Sequence, residues 1–218
     1  MEEFTISRIF INLLIATKWT IILSFIAFVL GGIVGFLVTL MRISSNKWLK
    51  GISWFYVEFF QGTPLLLQLF LAFFGLSVVF RVNLSPLQAA ALALTGFTSA
   101  FLADIWRGSI AAIPQGQWEA GSAIGFGYFK QLQLIILPQA FKLSIAPTVG
   151  FLVQVIKGTS LASIIGFAEL SRVAAQINNV TLQSLLVFSL AGLIYFILCY
   201  PLSIWSQQLE KKLAYKGA

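Results

Sequence analysis

Pro114-Gln-Gly-Gln-Trp-Glu-Ala-Gly-Ser-Ala-Ile-Gly-Phe-Gly-Tyr-Phe-Lys-Gln-Leu-Gln-Leu-Ile-Ile-Leu-Pro138 is the one long polar interruption in an otherwise apolar sequence. Pro114 fits the first turn of a helix, where its missing N–H is not needed. Gly125 and Gly127 fit the end, where a left-handed residue closes the last turn. A short helix is therefore predicted between them. Ala120, Ala123 and Ile124 fall on one side of it, with Gln117, Glu119 and Ser122 around the others, so its stripe is narrow and built of small residues. Such a stripe suits docking into a partner's groove. A second helical piece, about Phe129 to Leu137, is expected to stop at Pro138. On composition alone the stretch is also readable as a plain connector between membrane spans.

The sequence on either side explains why a polar stretch stands out. Of 218 residues, 59% are hydrophobic and 10% charged, and the mean hydropathy is +0.93. Soluble domains carry about a quarter charged residues, so a soluble globular fold is excluded and an integral membrane protein is indicated. The net charge of +7 does not point to nucleic acid, because the Lys and Arg residues stand singly at the ends of apolar runs. With no histidine, zinc-protease motifs and histidine relays are absent, and the single Cys199 permits no internal disulfide. Met1–Lys18 carries two early glutamates and lacks a basic start and a small-residue cleavage site, so no signal peptide is expected.

In chain order, Ile6, Ile9, Phe10, Leu13 and Leu14 give Met1–Lys18 the spacing of an amphipathic helix lying in the membrane interface. Trp19–Met41, 23 residues without charge, is long enough to cross the hydrocarbon and makes the first span. Gly31 and Gly35 form a GxxxG pair on it, to which no function is assigned. Phe59–Phe80, 22 charge-free residues, is the second span. Residues 81–86 form a turn, and Leu87–Ala103 is the third span. From Leu143 to Ile156 only 14 apolar residues separate Lys142 from Lys157, with Pro147 among them, so the fourth segment is either broken or includes Lys157. Val180–Trp205 is the fifth, bent near its end by Pro201. The expectation is thus an all-α membrane protein: one domain over residues 1–218, five transmembrane helices, an interfacial N-terminal helix and a short helix in the polar loop 114–138.

Positive charge sets the orientation. Arg42, Lys47, Lys50, Arg107, Lys130, Lys142, Lys211, Lys212 and Lys216 fall on one side, nine in all, against five (Arg8, Lys18, Arg81, Lys157, Arg172) toward the other. The positive-inside rule then puts the 114–138 loop and the C-terminus in the cytoplasm, with the N-terminus outside.

Four separated stretches between Tyr56 and Leu170 carry a resemblance that covers nearly the whole chain, from about Trp19 to Lys212. Glu119-Ala120-Gly121, then Gly125, Ile135 and Leu137-Pro138, resembles the signature loop of permease subunits of binding-protein-dependent ABC importers, with Gly121 where the family usually has a second alanine. Three further runs resemble the polar amino-acid branch: Tyr56 to Phe70 with Gly62-Thr63-Pro64-Leu65-Leu66, Ala103 to Gln117, and Ile156 to Leu170. Gln61 stands where that branch usually has arginine, and Asp104 where glutamate is more frequent. The resemblance implies a bacterial inner-membrane permease whose coupling helix, with Glu119, Ala120, Gly121 and Gly125, inserts into a cytoplasmic ATPase dimer. It further implies an extracytoplasmic amino-acid-binding protein and a second permease subunit, identical or a sister chain. No Gly-x-x-x-x-Gly-Lys-[Ser/Thr] run occurs, so ATP and Mg are expected on the partner ATPase, with no cofactor, metal or catalytic residue in this chain.

A charge at the bilayer centre costs roughly 2.5–3.5 kcal/mol or more, so ionisable residues in or near spans are the candidates for the substrate path. Glu58, Asp104, Lys157 and Glu169 qualify, with Gln61 beside them. Lys157 sits where a broken helix would expose backbone donors beside Gly158, Thr159 and Ser160, an arrangement able to hold a carboxylate. The plainer alternative is a snorkelling lysine, or an ion pair with Glu58, Asp104 or Glu169. Glu58 and Asp104 read more readily as interfacial residues near Arg42 or Arg107, and Glu169 as an external residue where a binding protein docks. Two carboxylates on the path, with no arginine at 61, would favour a cationic amino acid. Acidic or neutral polar amino acids, or cystine, are the alternatives, as is a stand-alone channel or secondary carrier.

Overall fold

A computed structural model of the chain describes residues 5–213. Helix α1 is Ile6–Ile43, 38 residues without a break. At 1.5 Å per residue it is about 57 Å long, well beyond the thickness of a hydrocarbon core. A separate interfacial helix ending at Lys18 is therefore not found; its residues from Ile6 onward are the first turns of α1, and residues 1–4 lie outside the described residues. The physical reason is local. No glycine or proline occurs between Thr5 and Leu30, and Thr17 and Ser24 return their hydroxyls to the Leu13 and Thr20 carbonyls, at 2.8 and 2.7 Å. The apolar residues expected against the interface, Ile9 and Leu13, are instead fully buried against later helices.

The second span is not a single rod. Helix α2, Lys47–Gly62, and helix α3, Leu65–Phe80, meet at 103°. A charge-free run reports composition and not direction. Pro64 supplies no N–H and forces Thr63 into the extended region (φ −109°, ψ 139°), which ends α2. The carbonyls freed at the bend are recovered by Gln68, whose side-chain amide donates to Phe60 O (2.8 Å), Thr63 O (3.1 Å) and Thr63 Oγ1 (2.9 Å). Helix α3 contains a π turn at Leu71–Gly75 and ends at Arg81 in the left-handed region, φ 56°.

Helix α4, Pro86–Ala111, opens on a capping box between Ser85 and Gln88 and forms the centre of the molecule. Gly31 and Gly35 acquire a role here: a Cβ on either would stand 2.6 Å from Thr98 Cγ2 or 2.9 Å from Ser99 O. Since apolar surface gains little by leaving lipid, close backbone approach of this kind is what holds spans together.

Helix α5, Gln115–Ala123, is the expected short helix, with Pro114 just ahead of its first turn. Helix α6 then runs from Tyr128 to Ser163. Pro138 does not stop it. A π turn at Leu132–Ile136 precedes the proline and widens the helix where the N–H is missing, and Pro147 is likewise carried inside the helix. The fourth segment therefore takes the second of the two expected forms and includes Lys157. Helix α7, Leu170–Thr181, is followed by α8, Ser184–Leu213. Val180 belongs to α7, because Leu182 takes the left-handed region, φ 55°, and separates the two. Among the described residues four helices are long and apolar enough to cross a membrane, and five when the bent pair α2–α3 counts as one span.

Candidate functional site

Two polar regions break the apolar body. The first is the knob built on α5. Its C-terminus closes by a Schellman motif: Phe126 N–H donates to Gly121 O (3.0 Å), Gly125 N–H donates to Ser122 O (3.0 Å), and Gly125 takes φ +78°. Gly127 does not share that task; at φ −69° it caps the start of α6. Gly121 is buried, and a Cβ there would lie 2.9 Å from Gln131 Cγ and 3.0 Å from Ile135 Cδ1. Glycine thus lets α5 sit directly on the first turns of α6. Gln131, itself buried, fixes the join by donating to Phe126 O (2.6 Å) and Ser122 Oγ (3.0 Å). Trp118 stacks on Tyr128, whose hydroxyl reaches Ile43 O at 3.3 Å, so the knob is tied to the end of α1 as well. Glu119, Ala120, Ala123 and Ile124 remain exposed, as does Phe129.

The second region runs between α2 and α4. At 100° per residue, Lys50, Trp54, Glu58 and Gln61 share one flank of α2, within an arc of about 80°. The buried face carries Ser53 and Val57, and the opposite, exposed stripe carries Trp48, Ile52, Phe55 and Phe59. Gln61 Nε2 approaches Ala100 O at 3.5 Å, and the Tyr56 and Ser99 hydroxyls pair at 2.6 Å. Near the knob end of α4, Asp104 Oδ1 accepts from Arg42 Nη1 (3.2 Å), Arg107 Nη2 (2.9 Å) and Arg107 Nε (3.2 Å). A cavity of about 410 Å³ opens there, lined by Arg42, Lys50, Gly51, Trp54 and Arg107.

Gln61, Asp104 and exposed Glu58 thus fall along one polar lane. Lys157, Thr159 and Ser160 do not join it; they lie where Leu65, at the start of α3, comes within 3.2 Å of a Cβ placed on Gly158. The broken helix expected beside Lys157 is also absent. The chain continues as a 3-10 turn, Thr159–Ser163; the Thr159 N–H donates back into the preceding turn, and the Thr159 and Ser160 hydroxyls bond Ile156 O and Lys157 O, each at 2.7 Å. Lys157 is exposed and makes no ion pair with a described carboxylate. Glu169, expected to be external, is fully buried. It caps α7, accepting from Ser171 N–H (2.9 Å), Arg172 N–H (2.8 Å) and Tyr195 O–H (2.8 Å). Burial pushes its carboxyl above the usual range, and these three hydrogen bonds oppose that shift.

The sequence offers Arg42 and Arg107 as interfacial partners of Glu58 and Asp104 but gives Gln68 no part, and the structure pairs both arginines with Asp104. Arg107, three residues after Asp104, carries a helical-pair signal that points to the contact. For Arg42 and Gln68 the partners depend on how helices cross, which no local pattern records.

Residues 27–215 match the family described as binding-protein-dependent transport system inner membrane component. The chain is similar to the L-cystine transport system permease protein TcyB of Bacillus subtilis (strain 168), 40% identical over 89% of this chain and 83% of that protein. It is 36% identical to the arginine transport system permease protein ArtQ of the same organism, over 85% of this chain and 84% of that protein. It is 32% identical to the histidine/lysine/arginine/ornithine transport system permease protein HisM of Escherichia coli (strain K12), over 90% and 85%. Among solved structures, an amino acid ABC transporter crystallised with histidines superposes with a TM-score of 0.88 at 31% identity, covering 92% of this chain and 94% of that one.

Proposed function

We propose a working arrangement for a chain that belongs to the binding-protein-dependent transport system inner membrane component family and is a permease subunit of an amino-acid ABC importer. The knob is the coupling element. Its exposed Glu119, Ala120, Ala123 and Ile124 insert into a separate cytoplasmic ATPase dimer, which holds the ATP and Mg. This chain contributes no nucleotide site of its own. The observation that carries the reading is the way α5 is mounted: bare on its outer side, and locked on its inner side through Gly121 and Gln131 to α6 and through Tyr128 to α1. A push on such a helix is delivered to two long spans together, which is the requirement for alternating access driven by a motor outside the membrane.

The knob and the C-terminus face the cytoplasm and the N-terminus lies outside. Arg42, Arg107 and Lys50 gather at the knob end of the bundle, in keeping with the positive-inside rule. An extracytoplasmic binding protein delivers the solute to the far side, and a second permease subunit completes the path. The solute is a polar amino acid, the class named in the cystine, arginine and histidine relatives. A preference for cations rests on Glu58 more than on Asp104, whose charge is already balanced by two guanidiniums.

Reconstitution tests the arrangement. Proteoliposomes holding the permease, the ATPase and the binding protein should accumulate a labelled amino acid only with ATP, and Glu119→Arg should abolish both ATPase co-purification and uptake. Accumulation without the ATPase would identify a carrier or channel that works alone. Competition by unlabelled arginine, glutamine and cystine ranks the solutes, and an arginine ranked last removes the cationic preference.

A further inference from the structure

The cavity between α1, α2 and α4 is lined by unspent donors, and the carboxylate bonded to two of the lining residues, Asp104, stands next to them with one oxygen unused. All three donors that reach Asp104 converge on Oδ1, and among the described residues Oδ2 has no partner. Arg42 spends only Nη1 on this contact, although its side chain is 13% exposed and a guanidinium carries five N–H donors. Arg107 keeps Nη1 free, and Lys50, on the facing helix, has no carboxylate within reach among the described residues. Three cations therefore line the cavity, with the free oxygen of Asp104 next to two of them though not itself in the lining, and with exposed Glu58 included the lane still carries a net positive charge.

An amino acid presents that same pairing in reverse, a carboxylate and an ammonium on one carbon. We propose that this cavity is a transient site for the α-carboxylate and α-ammonium groups of the transported amino acid. Arg42, Arg107 and Lys50 take the carboxylate, Asp104 Oδ2 takes the ammonium, and Trp54 forms a flat wall. The proposal rests on the reading of the chain as an amino-acid permease. Its volume, about 410 Å³, lies in the range of small-molecule sites, about 300–1,000 Å³. The site reads what all amino acids share and leaves the side chain unread, so it serves as a way station near the knob and does not set specificity. Lys157 is not a rival for the carboxylate, because the hydroxyls and the Thr159 amide beside it are spent within their own helix.

The same cations would attract an anionic phospholipid headgroup. The flank itself favours the amino acid: from the cavity it continues through Glu58 and Gln61, whereas a lipid-facing flank of this helix would carry residues like Trp48, Ile52, Phe55 and Phe59.

The test uses the purified permease–ATPase complex without the binding protein, whose own selectivity would mask the result. L-Arginine, L-glutamine and L-cystine are each titrated against their α-carboxamides, by equilibrium dialysis and tryptophan fluorescence. At least one acid should bind about tenfold or more tightly than its carboxamide, the scale of one charged hydrogen bond. Arg107→Gln should bring that ratio close to one, and Arg107→Lys should restore part of it. A misfolded variant loses acid and carboxamide alike, so the ratio separates recognition from structure. Lys50→Gln, at an exposed position, should narrow it severalfold in a fully folded complex.

A ratio near one in the unaltered complex overturns the proposal, as does a ratio unchanged by Arg107→Gln. Displacement of the bound acid by phosphatidylglycerol, with the same dependence on Arg107, overturns it in favour of a headgroup site. Failure here is separable from failure of the permease reading: Glu119→Arg tests that reading through ATPase attachment, with no use of this cavity.

Discussion

Replacing Gly121 by leucine probes how force enters the membrane domain. The inner face of α5 has no room for a side chain there, since a Cβ alone would sit 2.9 Å from Gln131 Cγ and 3.0 Å from Ile135 Cδ1. Ile135 can swing its terminal methyl aside. Gln131 cannot yield as easily, because its amide is held by Phe126 O and Ser122 Oγ. Overpacking of this kind costs about 1–3 kcal/mol. Removing a glycine from a helix returns nearly 1 kcal/mol of that. The balance, about 0–2 kcal/mol, displaces the knob and strains the small cluster of Ile113, Leu132, Ile136 and Ala140 beneath it, while the larger core clusters lie elsewhere. As 1.4 kcal/mol is a factor of ten, the middle of that range, about 1 kcal/mol, should lower coupled uptake about fivefold. Gly121→Ala sets helix propensity against a smaller overlap and should fall within a factor of about three of the unaltered chain. The assay is ATP-driven uptake alongside ATPase co-purification. Full uptake and normal ATPase attachment by Gly121→Leu would refute the claim that the α5–α6 contact transmits the stroke.

Gln68→Leu should lower thermal stability in detergent by about 1–2 kcal/mol, since Phe60 O and Thr63 O lose their donor inside the bundle; the buried and unpartnered Gln68 Oε1 disappears with the same change, which keeps the loss modest. An unchanged melting temperature would show that the α2–α3 bend needs no such support. Glu169 gives a pH signature. Its folded pKa is raised by burial, so the folded state binds its proton more tightly than the unfolded chain does, and the associated stability is present below the ordinary value of 4.5 and lost as pH rises through the raised one. Melting curves should therefore show Glu169→Gln gaining on the unaltered chain as pH rises above 4.5, and parallel curves at all pH values would contradict this. Glu169→Ala should cost about 0.5–2 kcal/mol below pH 4.5, as loss of an N-cap, and that cost should shrink as pH rises, in parallel with Glu169→Gln.

Composition and spacing decided a great deal without coordinates. A chain with so few charges has to satisfy its backbone internally and therefore be helical in lipid, and the Gly125 C-cap and the short helix after Pro114 follow from residue chemistry confined to a single turn. The Glu119-Ala120-Gly121 motif marked the knob for the same reason, as adjacent residues and short spacings survive in one dimension. Direction and partnership did not. Whether Pro64 bends a span while Pro138 and Pro147 are absorbed depends on who recovers the freed carbonyls, and that donor, Gln68 at the bend or a π turn before Pro138, is set by the local fold as a whole. Likewise the sequence offered Arg42 both Glu58 and Asp104, and only the helix crossing selects Asp104, 62 residues away, while Glu169 meets Tyr195 only because α7 packs on α8. Charges in a sequence announce that a cost must be met; only the crossing of the helices decides which charge meets it.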